Sequence, residues 1–378
     1  MTLVFLTNFM NHHQVYLADA LYEKLGDGYK FIETIPMPDE FKKNGYPILE
    51  RPYVHKAYVS AEALVMAESL ANDADVVILG SAPESYIRDR LEKGKLTFHY
   101  NERWFKDGYK SFLNPKFWIN LYRHHLKYRN IKSYMLCASS YTSTDVNLVG
   151  AYKNKCFRWG YFPQFHSIDI KSLMSTKADR RPISIMWCSR FISWKHPELP
   201  IQLAQRLKTL GYSFIIDMFG AGDEYDKMVR LSQELNVQDV VRFCGCKSND
   251  LILNEMRHHH IFLFTSDRNE GWGAVLNEAM SNGCVVVASE EIGSVPFLIE
   301  GGINGMVFKS QDLESLETKV RYLIDKPEIL PIIAENAYYT IRDIWSPQIA
   351  ANNLLQLISA LSDNNDSLIP VMGPASKI

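Results

Sequence analysis

Short apolar runs recur along this chain of 378 residues, and stretches with helical spacing of apolar residues lie between them. The run at 3–6 precedes such a stretch from His13 to Leu25, and the run at 73–81 has helical stretches on both sides. A second series of apolar runs occupies 183–190, 212–220, 240–245, 261–266, 284–289 and 305–308. Short buried strands that alternate with helices are typical of parallel sheets covered on both faces. The sequence therefore predicts a doubly wound α/β fold, in which ligands bind beyond the carboxyl ends of the strands.

The two series of strands predict two Rossmann-like domains, because the chain is long for a single domain. Residues 163–182 lack periodicity and are bounded by Pro163 and Pro182, which predicts a linker between the series. An amphipathic stretch at 349–361 predicts a last helix that packs back toward the N-terminal domain, and the polar tail after it is expected to be loose. The predicted units are 1–165, 166–345 and a C-terminal segment 346–378, whose tail is 363–378.

Composition excludes several classes of function. With 41 Lys and Arg against 43 Asp and Glu, the chain lacks the strong positive charge that is typical of nucleic-acid binding. Its six cysteines form no CxxC pair, which argues against a disulfide scaffold or a zinc site, and Cys244 and Cys246 are interpreted as packing residues. No stretch approaches the roughly 20 apolar residues of a membrane span, and residues 3–6 are too few for a signal-peptide core. We therefore expect a cytoplasmic protein.

The segment 267–283 carries the most specific arrangement of polar residues. It follows an apolar run, so it lies at the carboxyl end of a predicted strand, and its glycine-bearing loop leads into a helix from Ala274 to Met280. Glu270 and Glu278 would lie about 12 Å apart if the segment were helical throughout. Their carboxylates can accept hydrogen bonds from sugar hydroxyls, and the free backbone amides between them suit a diphosphate.

Two cations follow the first strand of the same domain. Arg190 and Lys195 lie in the loop after that strand, before a helix that begins near Pro197. Cations at this position can contact a diphosphate that is held on the facing helix. Gly220 and Gly222 lie between the next strand and its helix, but a GxG motif alone is a weak indication of phosphate binding.

These segments, together with the glycine-bearing loop at 291–308, occur in the order and spacing that resemble the family 4 type of retaining glycosyltransferase. The resemblance covers 183–308 and implies the GT-B fold, in which two Rossmann-like domains face each other across a cleft. It implies transfer of a sugar from a nucleotide sugar, with a UDP-sugar favoured, to a hydroxyl acceptor with retention at the anomeric carbon. A growing surface polysaccharide or a lipid-linked oligosaccharide is the expected acceptor. No metal or other cofactor is expected.

The resemblance also implies roles for particular residues. The donor contacts would be made by Arg190, Lys195, Gly271, Trp272, Gly273, Ala274 and Glu278, the last on the ribose. Phe243, Gly245 and Cys246 would line the base pocket. Glu270 would orient the donor sugar, and His99, at the end of a predicted strand over 95–103, would form a hydrogen bond near the reacting carbon.

Two positions depart from the family pattern. The loop after the first strand, residues 7–13, contains no glycine, and Phe297 stands where the family has an acidic residue. Contacts to the donor phosphate are therefore not expected from 7–13. This loop is a candidate for the acceptor site instead, through Asn11, His12 and His13.

Residues 101–132 interleave aromatic and basic side chains, with Glu102 and Asp107 as the only acidic residues. Such a segment suits an anionic membrane surface or a lipid-diphosphate acceptor, which would place the protein at the inner face of the membrane. A helix pair with an aromatic core and solvated lysines would give the same pattern. Binding of single-stranded nucleic acid is disfavoured, because the whole chain is nearly neutral.

Two other functions fit the same donor-binding residues. A sugar-nucleotide epimerase of the same fold would need acidic and basic groups converging on one sugar, and it would have no acceptor site. A nucleotide-sugar binding protein without turnover would keep Arg190, Lys195 and Glu278. The presence of both Glu270 and His99 favours an enzyme.

Overall fold

The computed structural model describes residues 1–39, 49–106, 108–178 and 180–378. The strands of these residues are β1 (Leu3–Thr7), β2 (Tyr29–Glu33), β3 (Val54–Lys56), β4 (Val76–Leu79), β5 (Thr97–Asn101), β6 (Ser133–Cys137), β7 (Cys156–Arg158), β8 (Ile183–Cys188), β9 (Phe214–Phe219), β10 (Val241–Gly245), β11 (Ile261–Phe264), β12 (Val285–Ser289) and β13 (Met306–Phe308). They form two parallel sheets, ordered β3-β2-β1-β4-β5-β6-β7 and β10-β9-β8-β11-β12-β13.

Helices connect these strands. They are α1 (Val15–Leu25), α2 (Ala61–Asp73), α3 (Arg88–Glu92), α4 (Pro115–Leu121), α5 (Thr142–Leu148), α6 (Ile170–Ala178), α7 (Glu198–Thr209), α8 (Tyr225–Glu234), α9 (Asn249–His258), α10 (Val275–Ser281), α11 (Val295–Leu298), α12 (Leu313–Asp325), α13 (Leu330–Asp343) and α14 (Pro347–Ser362).

The first compact unit comprises Met1–Gln164 together with Ile344–Ile378. Strand β1 lies inside its sheet, where it pairs in parallel with β2 on one side and β4 on the other. All five residues of β1 are buried, because both faces of the sheet are covered. Strands β2 and β3 are added on one side of β1, and β4 to β7 are added on the other, so the strand order reverses between β1 and β4. Sheets of this kind bind ligands at the point of reversal.

The second compact unit comprises Phe165–Asp343. Its sheet has the same order of connections, with β8 between β9 and β11. One hydrophobic core joins this sheet to the helices of the unit, and it includes Trp187, Met218 and Leu263 from three neighbouring strands. The reversal of strand order falls between β8 and β11, so the loops after these two strands lie together at one edge.

Nine of the 19 described residues of the predicted linker form a helix. Helix α6 occupies Ile170–Ala178, and the side chains of Ile170 and Met174 are buried in the core of the second unit. Asp169 begins the helix, since its Oδ1 accepts a hydrogen bond from the amide of Ser172 at 3.0 Å. Asp179, within the predicted linker, lies outside the described residues. The boundary between the two units, after Gln164, lies within the predicted linker, whereas α6 is part of the second unit, because apolar residues four apart mark a buried face even in a short polar segment.

The C-terminal tail is not loose. Helix α14 packs against α1 of the first unit, and the chain beyond it returns to the edge of the first sheet. There Lys377 forms an antiparallel bridge with Phe157, and the Arg158 guanidinium donates a hydrogen bond to the Lys377 carbonyl at 2.6 Å. Ser376 is fully buried. The tail is ordered because β7 is the last strand of the sheet and its free edge supplies backbone partners.

Within the residues that the structure describes, no helix is both long and apolar enough to span a bilayer. All six cysteines are free thiols. Cys244 is half-buried, but Cys246 is exposed, so the interpretation of Cys246 as a packing residue is wrong. It lies just beyond Gly245, the last residue of β10, where the strand has already left the core.

Candidate functional site

The loops that follow β8 and β11 bring a lysine and a glutamate together. Lys195 ends a short helical turn after β8, and Glu270 lies in the loop between β11 and α10. The Lys195 Nζ and the Glu270 Oε2 form an ion pair, and each side chain is only 11% exposed. The Glu270 Oε2 also accepts a hydrogen bond from Ser266 Oγ at 3.0 Å. The site therefore contains a carboxylate whose position is determined by two donors.

A hydrogen-bond chain from the core determines where Lys195 lies. The Trp187 indole of β8 donates to Thr265 Oγ1 at 2.9 Å, and Thr265 Oγ1 donates to the Lys195 carbonyl at 2.7 Å. The Lys195 ammonium lies 4.2 Å from the centroid of the Trp194 ring, a distance at which a cation is attracted to the ring face. Thr265, Ser266 and Trp194 were not predicted as site residues. The available signal was that Trp194 directly precedes Lys195, and that Thr265 and Ser266 lie five and four residues before Glu270.

The loop from Glu270 to Ala274 presents backbone donors. The amides of Gly271, Gly273 and Ala274 donate to no other backbone oxygen among the described residues. Gly273 has a φ of +79°, and a Cβ at this position would overlap the ring of Phe264. The glycine therefore allows the loop to turn tightly over the end of β11.

Trp272 lies in the same loop, between Gly271 and Gly273. Its side chain is fully buried, and its indole donates a hydrogen bond to Asn277 Oδ1 at 2.9 Å. The predicted donor contact of this residue is made by its backbone amide, so the burial of the ring does not bear on it. The part of Trp272 that remains a candidate for donor binding is its backbone.

Glu278 lies in α10 and is 8% exposed. Burial raises the pKa of its carboxyl group to about 7. Among the described residues no cation and no side-chain donor contacts this carboxylate, in contrast to Glu270. The charge of Glu278 in turn contributes to the raised pKa of Cys188, after burial, so the two side chains lie in the same region. Glu278 is thus a buried acceptor without a donor, which suits a ligand hydroxyl.

Arg190 and the predicted base-pocket residues occupy the surroundings of this site. Arg190 is exposed, with its guanidinium 5.9 Å from the Trp194 ring centroid. Phe243 is half-buried. Its ring centroid lies 6.2 Å from that of Phe191, a residue of the loop between β8 and α7. Gly245 has a φ of +66° next to a register shift in β10, after which Cys246 is exposed.

The GxG motif after β9 has a packing role in the structure. A Cβ on Gly220 would overlap the carbonyl oxygen of Ser189, and a Cβ on Gly222 would overlap that of Phe191. The amide of Phe191 also donates to the Ala221 carbonyl at 2.9 Å. The glycines therefore allow this loop to lie directly against the loop that carries Arg190.

In the first unit, a polar cavity of about 480 Å³ lies at the carboxyl ends of β1, β4 and β5. We call it the edge cavity; Asn11, His13, Gln14, Glu102 and Tyr161 are among its lining residues. Two of the three acceptor candidates, Asn11 and His13, therefore line one cavity. His12 is half-buried beside them, with its ring centroid 3.7 Å from that of His13. Glu102 and Tyr161 were not predicted to belong to this site.

His99 does not lie where the sequence places it. It is the third of the five residues of β5 rather than at the end of the strand, and it is 2% exposed. Its ring packs within 5.5 Å of the His125 ring centroid and 5.6 Å of the Tyr152 ring centroid. Burial, and then the charge of His124, lowers the pKa of His99 to about 4. The side chain thus packs in an aromatic layer, and its hydrogen bond near the reacting carbon stays a prediction.

The basic-aromatic segment 101–132 divides into a buried and an exposed set of side chains; Asp107 lies outside the described residues. Phe105, Phe112 and Phe117 contact one another and pack on the core beside β6. Other large side chains of the segment are exposed, including Tyr109 (53%), Leu113 (89%), Trp118 (43%), Ile119 (49%) and Tyr122 (59%). The segment is therefore both an aromatic core and an apolar surface.

No three potential metal ligands come together anywhere in the described ranges. His259 and His260 instead serve the fold. His259 Nε2 lies 2.9 Å from Asp217 Oδ2, and His260 Nδ1 lies 2.8 Å from Ser184 Oγ.

Comparison with known proteins finds sequences that are similar to the second unit. Residues 173–340 match the family described as glycosyl transferases group 1. The putative colanic acid biosynthesis glycosyltransferase WcaL of Escherichia coli is 24% identical over 192 residues, which are 49% of this chain and 47% of WcaL. The amylovoran biosynthesis glycosyltransferase AmsK of Erwinia amylovora is 24% identical over 211 residues, 54% of this chain and 50% of AmsK. The chain spans about half the length of the curated relatives it matches.

Solved structures extend the likeness to the whole chain. HepE of Anabaena, solved in complex with UDP, has a TM-score of 0.69 at 16% identity, covering 96% of this chain and 100% of HepE. The sucrose-phosphate synthase of Thermosynechococcus elongatus has a TM-score of 0.66 at 14% identity, covering 96% and 100%. At these identities the likeness concerns the fold. The predicted GT-B fold is thus confirmed, and residues 173–340 are similar to the glycosyl transferases group 1.

Proposed function

We propose that this chain is a retaining glycosyltransferase that moves a sugar from a nucleotide sugar to a hydroxyl of a glycan. The observation that carries the proposal is the buried Lys195–Glu270 pair beside the free amides of Gly271, Gly273 and Ala274, within a group 1 glycosyl transferase domain. A UDP-sugar is the favoured donor, since the structurally similar HepE was solved with UDP. A growing polysaccharide is the favoured acceptor, since relatives are named for colanic acid and amylovoran biosynthesis.

The proposed chemistry follows from the charges of the site. The leaving group is a nucleoside diphosphate, and negative charge grows on it as the sugar departs. Lys195, Arg190 and the backbone amides after Glu270 would stabilise that charge with donors that are already in position. Glu270 would accept hydrogen bonds from the donor sugar and orient it, and Glu278 would accept hydrogen bonds from the ribose hydroxyls.

The first experiment is a panel of UDP-, GDP-, ADP-, TDP- and CMP-sugars, read by thermal shift and by release of nucleotide. We expect one class of donor to stabilise the protein and to be slowly hydrolysed. Analysis of the products then separates the alternatives, because an epimerase would return an isomerised nucleotide sugar without any acceptor. A binding protein would be stabilised without release of nucleotide.

Two variants test the roles that are proposed for Glu270 and Glu278. Glu270→Gln should lower kcat about a hundredfold or more, because it removes the carboxylate that would orient the sugar. It should leave UDP affinity close to that of the unsubstituted protein, because UDP lacks the sugar that Glu270 would contact. Glu278→Gln should weaken UDP binding as well. Glu314→Gln, at an exposed position of α12, is the matched control. Wild-type turnover in both site variants would show that the donor site lies elsewhere.

We also propose that the first unit contacts an anionic membrane through the exposed part of the basic-aromatic segment, at the cytoplasmic face. Residues 108–132 contain no acidic residue. The exposed apolar side chains of Leu113, Trp118 and Tyr122 alternate with the exposed cations Lys110 and Lys116. Apolar residues that enter the headgroup region and cations that meet anionic lipids together define an interfacial surface.

Vesicle sedimentation tests this contact. The protein should bind vesicles of mixed phosphatidylglycerol and phosphatidylcholine but not vesicles of phosphatidylcholine alone. The triple change Lys110→Glu, Lys116→Glu and Arg123→Glu should weaken binding at least about tenfold, at about 1 kcal/mol per charge. A control with the same charge change, at the exposed Lys24, Lys93 and Lys171, should bind normally. Equal binding by both triple variants would refute the proposed surface.

A further inference from the structure

A histidine side chain connects the loop that carries Lys195 to the loop that carries Glu270. His196 directly follows Lys195, and its imidazole lies between two carboxylates. The Nδ1 forms a hydrogen bond with Glu198 Oε1 at 2.8 Å, and the Nε2 lies 3.4 Å from Asp267 Oδ2. Glu198 begins α7, whereas Asp267 lies three residues before Glu270 in the loop after β11. The imidazole therefore contacts charged groups from both halves of the proposed donor site.

Asp267 is the residue through which the Glu270 loop meets this imidazole. The Asp267 amide donates to the Trp194 carbonyl at 3.0 Å, and the Asp267 carbonyl accepts from the Glu270 amide at 3.0 Å. Its Oδ1 accepts a hydrogen bond from the Asn269 amide at 2.9 Å, while its Oδ2 faces His196. Asp267 is thus the first residue of the turn that ends in Glu270, so a displacement of Asp267 would also displace the Glu270 carboxylate.

The backbone of His196 adopts a conformation that is costly for a residue with a side chain. Its φ is +49° and its ψ is +56°, which is the left-handed region. Glycine adopts this conformation without strain. The histidine side chain is only 14% exposed, so its surroundings hold it in place. Backbone strain of this kind is found where the side chain has a function, which supports a role for the imidazole.

The contact between His196 and Asp267 depends on the protonation of the imidazole. A charged imidazole has an N–H on each ring nitrogen, whereas a neutral one has a single N–H. The shorter bond to Glu198 would retain that proton on Nδ1, so a neutral ring would turn the Nε2 lone pair toward the Asp267 carboxylate. The Nε2 makes no hydrogen bond within the described structure, and its contact with Asp267 is favourable only through charge. Loss of the proton therefore changes an attraction between the two loops into a repulsion.

The carboxylates around His196 favour its charged form. Burial lowers the pKa of the imidazole, but the hydrogen bond to Glu198 and the charges of Glu198 and Asp267 outweigh burial, so the pKa lies above the ordinary value of 6.5. Two cations are close to this group: Lys227 of α8 lies near Glu198, and the ammonium of Lys195 forms the ion pair described above. His196 is therefore charged at pH 6.5 and loses its charge as the pH rises through its pKa.

We propose that His196 is a positioning residue of the proposed donor site, whose charged imidazole holds the Glu270 loop against the Lys195 loop, so that sugar transfer weakens when the imidazole loses its proton. This inference rests on the proposed function and adds a regulation to it. The Lys195 carbonyl keeps its hydrogen bond from Thr265 Oγ1 whatever the charge of His196. Loss of the proton should therefore lower kcat, because Glu270 no longer orients the sugar, and should change UDP affinity much less.

The pH profile of His196→Asn tests the proposal, because asparagine tolerates the left-handed region and carries no charge at any pH. Nucleotide release is measured from pH 6 to pH 9 with the donor that the panel of nucleotide sugars identifies. The ratio of the kcat of the unsubstituted protein to that of the variant should be at least about ten at pH 6 and should fall toward one at pH 9. Glu278 also titrates in this range, but it is present in both proteins, so the ratio isolates His196. His258→Asn, at an exposed position of α9, is the matched control and should give a ratio near one throughout.

NMR on the full chain measures the same coupling without a donor. The imidazole signal of His196, assigned by its absence in His196→Asn, should titrate with the same midpoint as the amide signals of Gly271 and Gly273. Asp267→Asn should move both midpoints to lower pH, because it removes one of the charges that hold the proton. The side-chain oxygen of the new asparagine can still accept from the Asn269 amide, so the turn keeps its own hydrogen bond.

A second variant covers the case in which His196→Asn does not fold. His196→Gly relieves the backbone strain and should give the same pH dependence. A kcat ratio that is the same at every pH would overturn the proposal, as would glycine amides that do not follow the imidazole. Turnover of a donor with such a constant ratio would refute the role of His196 alone. Glycine amides that follow His196 in a protein that neither binds nor hydrolyses any nucleotide sugar would refute the proposed function and leave the coupling of the two loops in place.

Discussion

The Lys195–Glu270 ion pair is the residue-scale feature on which the proposed donor site depends. Two charges that are this deeply buried are stable only as a pair, because either one alone has lost its hydration without compensation. A donor diphosphate that binds Lys195 must therefore share it with Glu270. Ser266 gives Glu270 a second donor, so the carboxylate stays oriented while the lysine contacts the ligand.

Removal of one partner of this pair should destabilise the protein more than removal of both. Lys195→Met should lower the free energy of unfolding by about 3–5 kcal/mol, since it leaves a buried carboxylate without its cation. The double variant Lys195→Met with Glu270→Leu should recover most of that loss. Urea denaturation of the single and double variants measures the coupling. Lys227→Met, which breaks the exposed pair with Glu224, is the control and should have little effect. Additive losses in the double variant would show that the two charges do not stabilise each other.

Glu278 predicts a pH dependence of stability. Burial raises its pKa in the folded state to about 7, above the usual value of 4.5. The folded protein therefore binds more protons than the unfolded chain between these values, and stability falls as the pH rises through this range. Glu278→Gln removes the effect. The free energy of unfolding of the variant should equal that of the unsubstituted protein near pH 4.5 and should exceed it by roughly 3 kcal/mol above pH 7. Urea denaturation from pH 5 to pH 8 checks this, and a constant difference would contradict it.

Helix α6 is held in the second unit both by apolar packing and by hydrogen bonds. Its apolar side chains enter the core of the second unit, and its buried Lys177 ammonium donates to three backbone carbonyls. These belong to Met256 at 3.2 Å, His259 at 2.6 Å and Gly283 at 2.7 Å. The lysine thus joins α6 to the ends of α9 and α10. Burial lowers its pKa to about 8, so it remains mostly charged at neutral pH.

Substitution of Lys177 should loosen this attachment. Lys177→Met leaves three buried carbonyls without a donor and should lower the free energy of unfolding by about 2–4 kcal/mol. Lys171→Met, on the exposed face of the same helix, should be nearly neutral. Thermal and urea unfolding of the two variants gives the comparison. If both variants had a similar free energy of unfolding, the three carbonyls would have found other hydrogen-bond donors.

At the scale of the whole molecule, the chain builds two units with separate sheets and separate cores. The C-terminal segment belongs to the first unit, because α14 packs against α1 and the tail joins the edge of the first sheet at β7. Residues from both ends of the chain thus stabilise the unit that holds the edge cavity, while residues 173–340, which are similar to the glycosyl transferases group 1, lie between them in sequence.

A substitution in α14 should therefore act on the first unit. Leu357 is fully buried, and Leu357→Ala should lower the stability of that unit by about 2–5 kcal/mol. Hydrogen exchange should show faster exchange in α1 and β1 with little change in β8 and β11. Asn352→Ala, at an exposed position of α14, is the control. Faster exchange confined to β8 and β11 would contradict this assignment.

The sequence by itself determined the strands β1, β4 and β8–β13 and the loop from Glu270 into α10, because apolar periodicity and glycine positions act over a few neighbouring residues. Only the tertiary structure decided the roles of β2, β3 and β7, which are too short or too polar to show a pattern. It also decided that His99 is buried, that Lys195 pairs with Glu270 across 75 positions of sequence, and that Tyr161 holds Glu102. Such contacts depend on which strands become neighbours and which face of each is covered, and no local pattern encodes that choice.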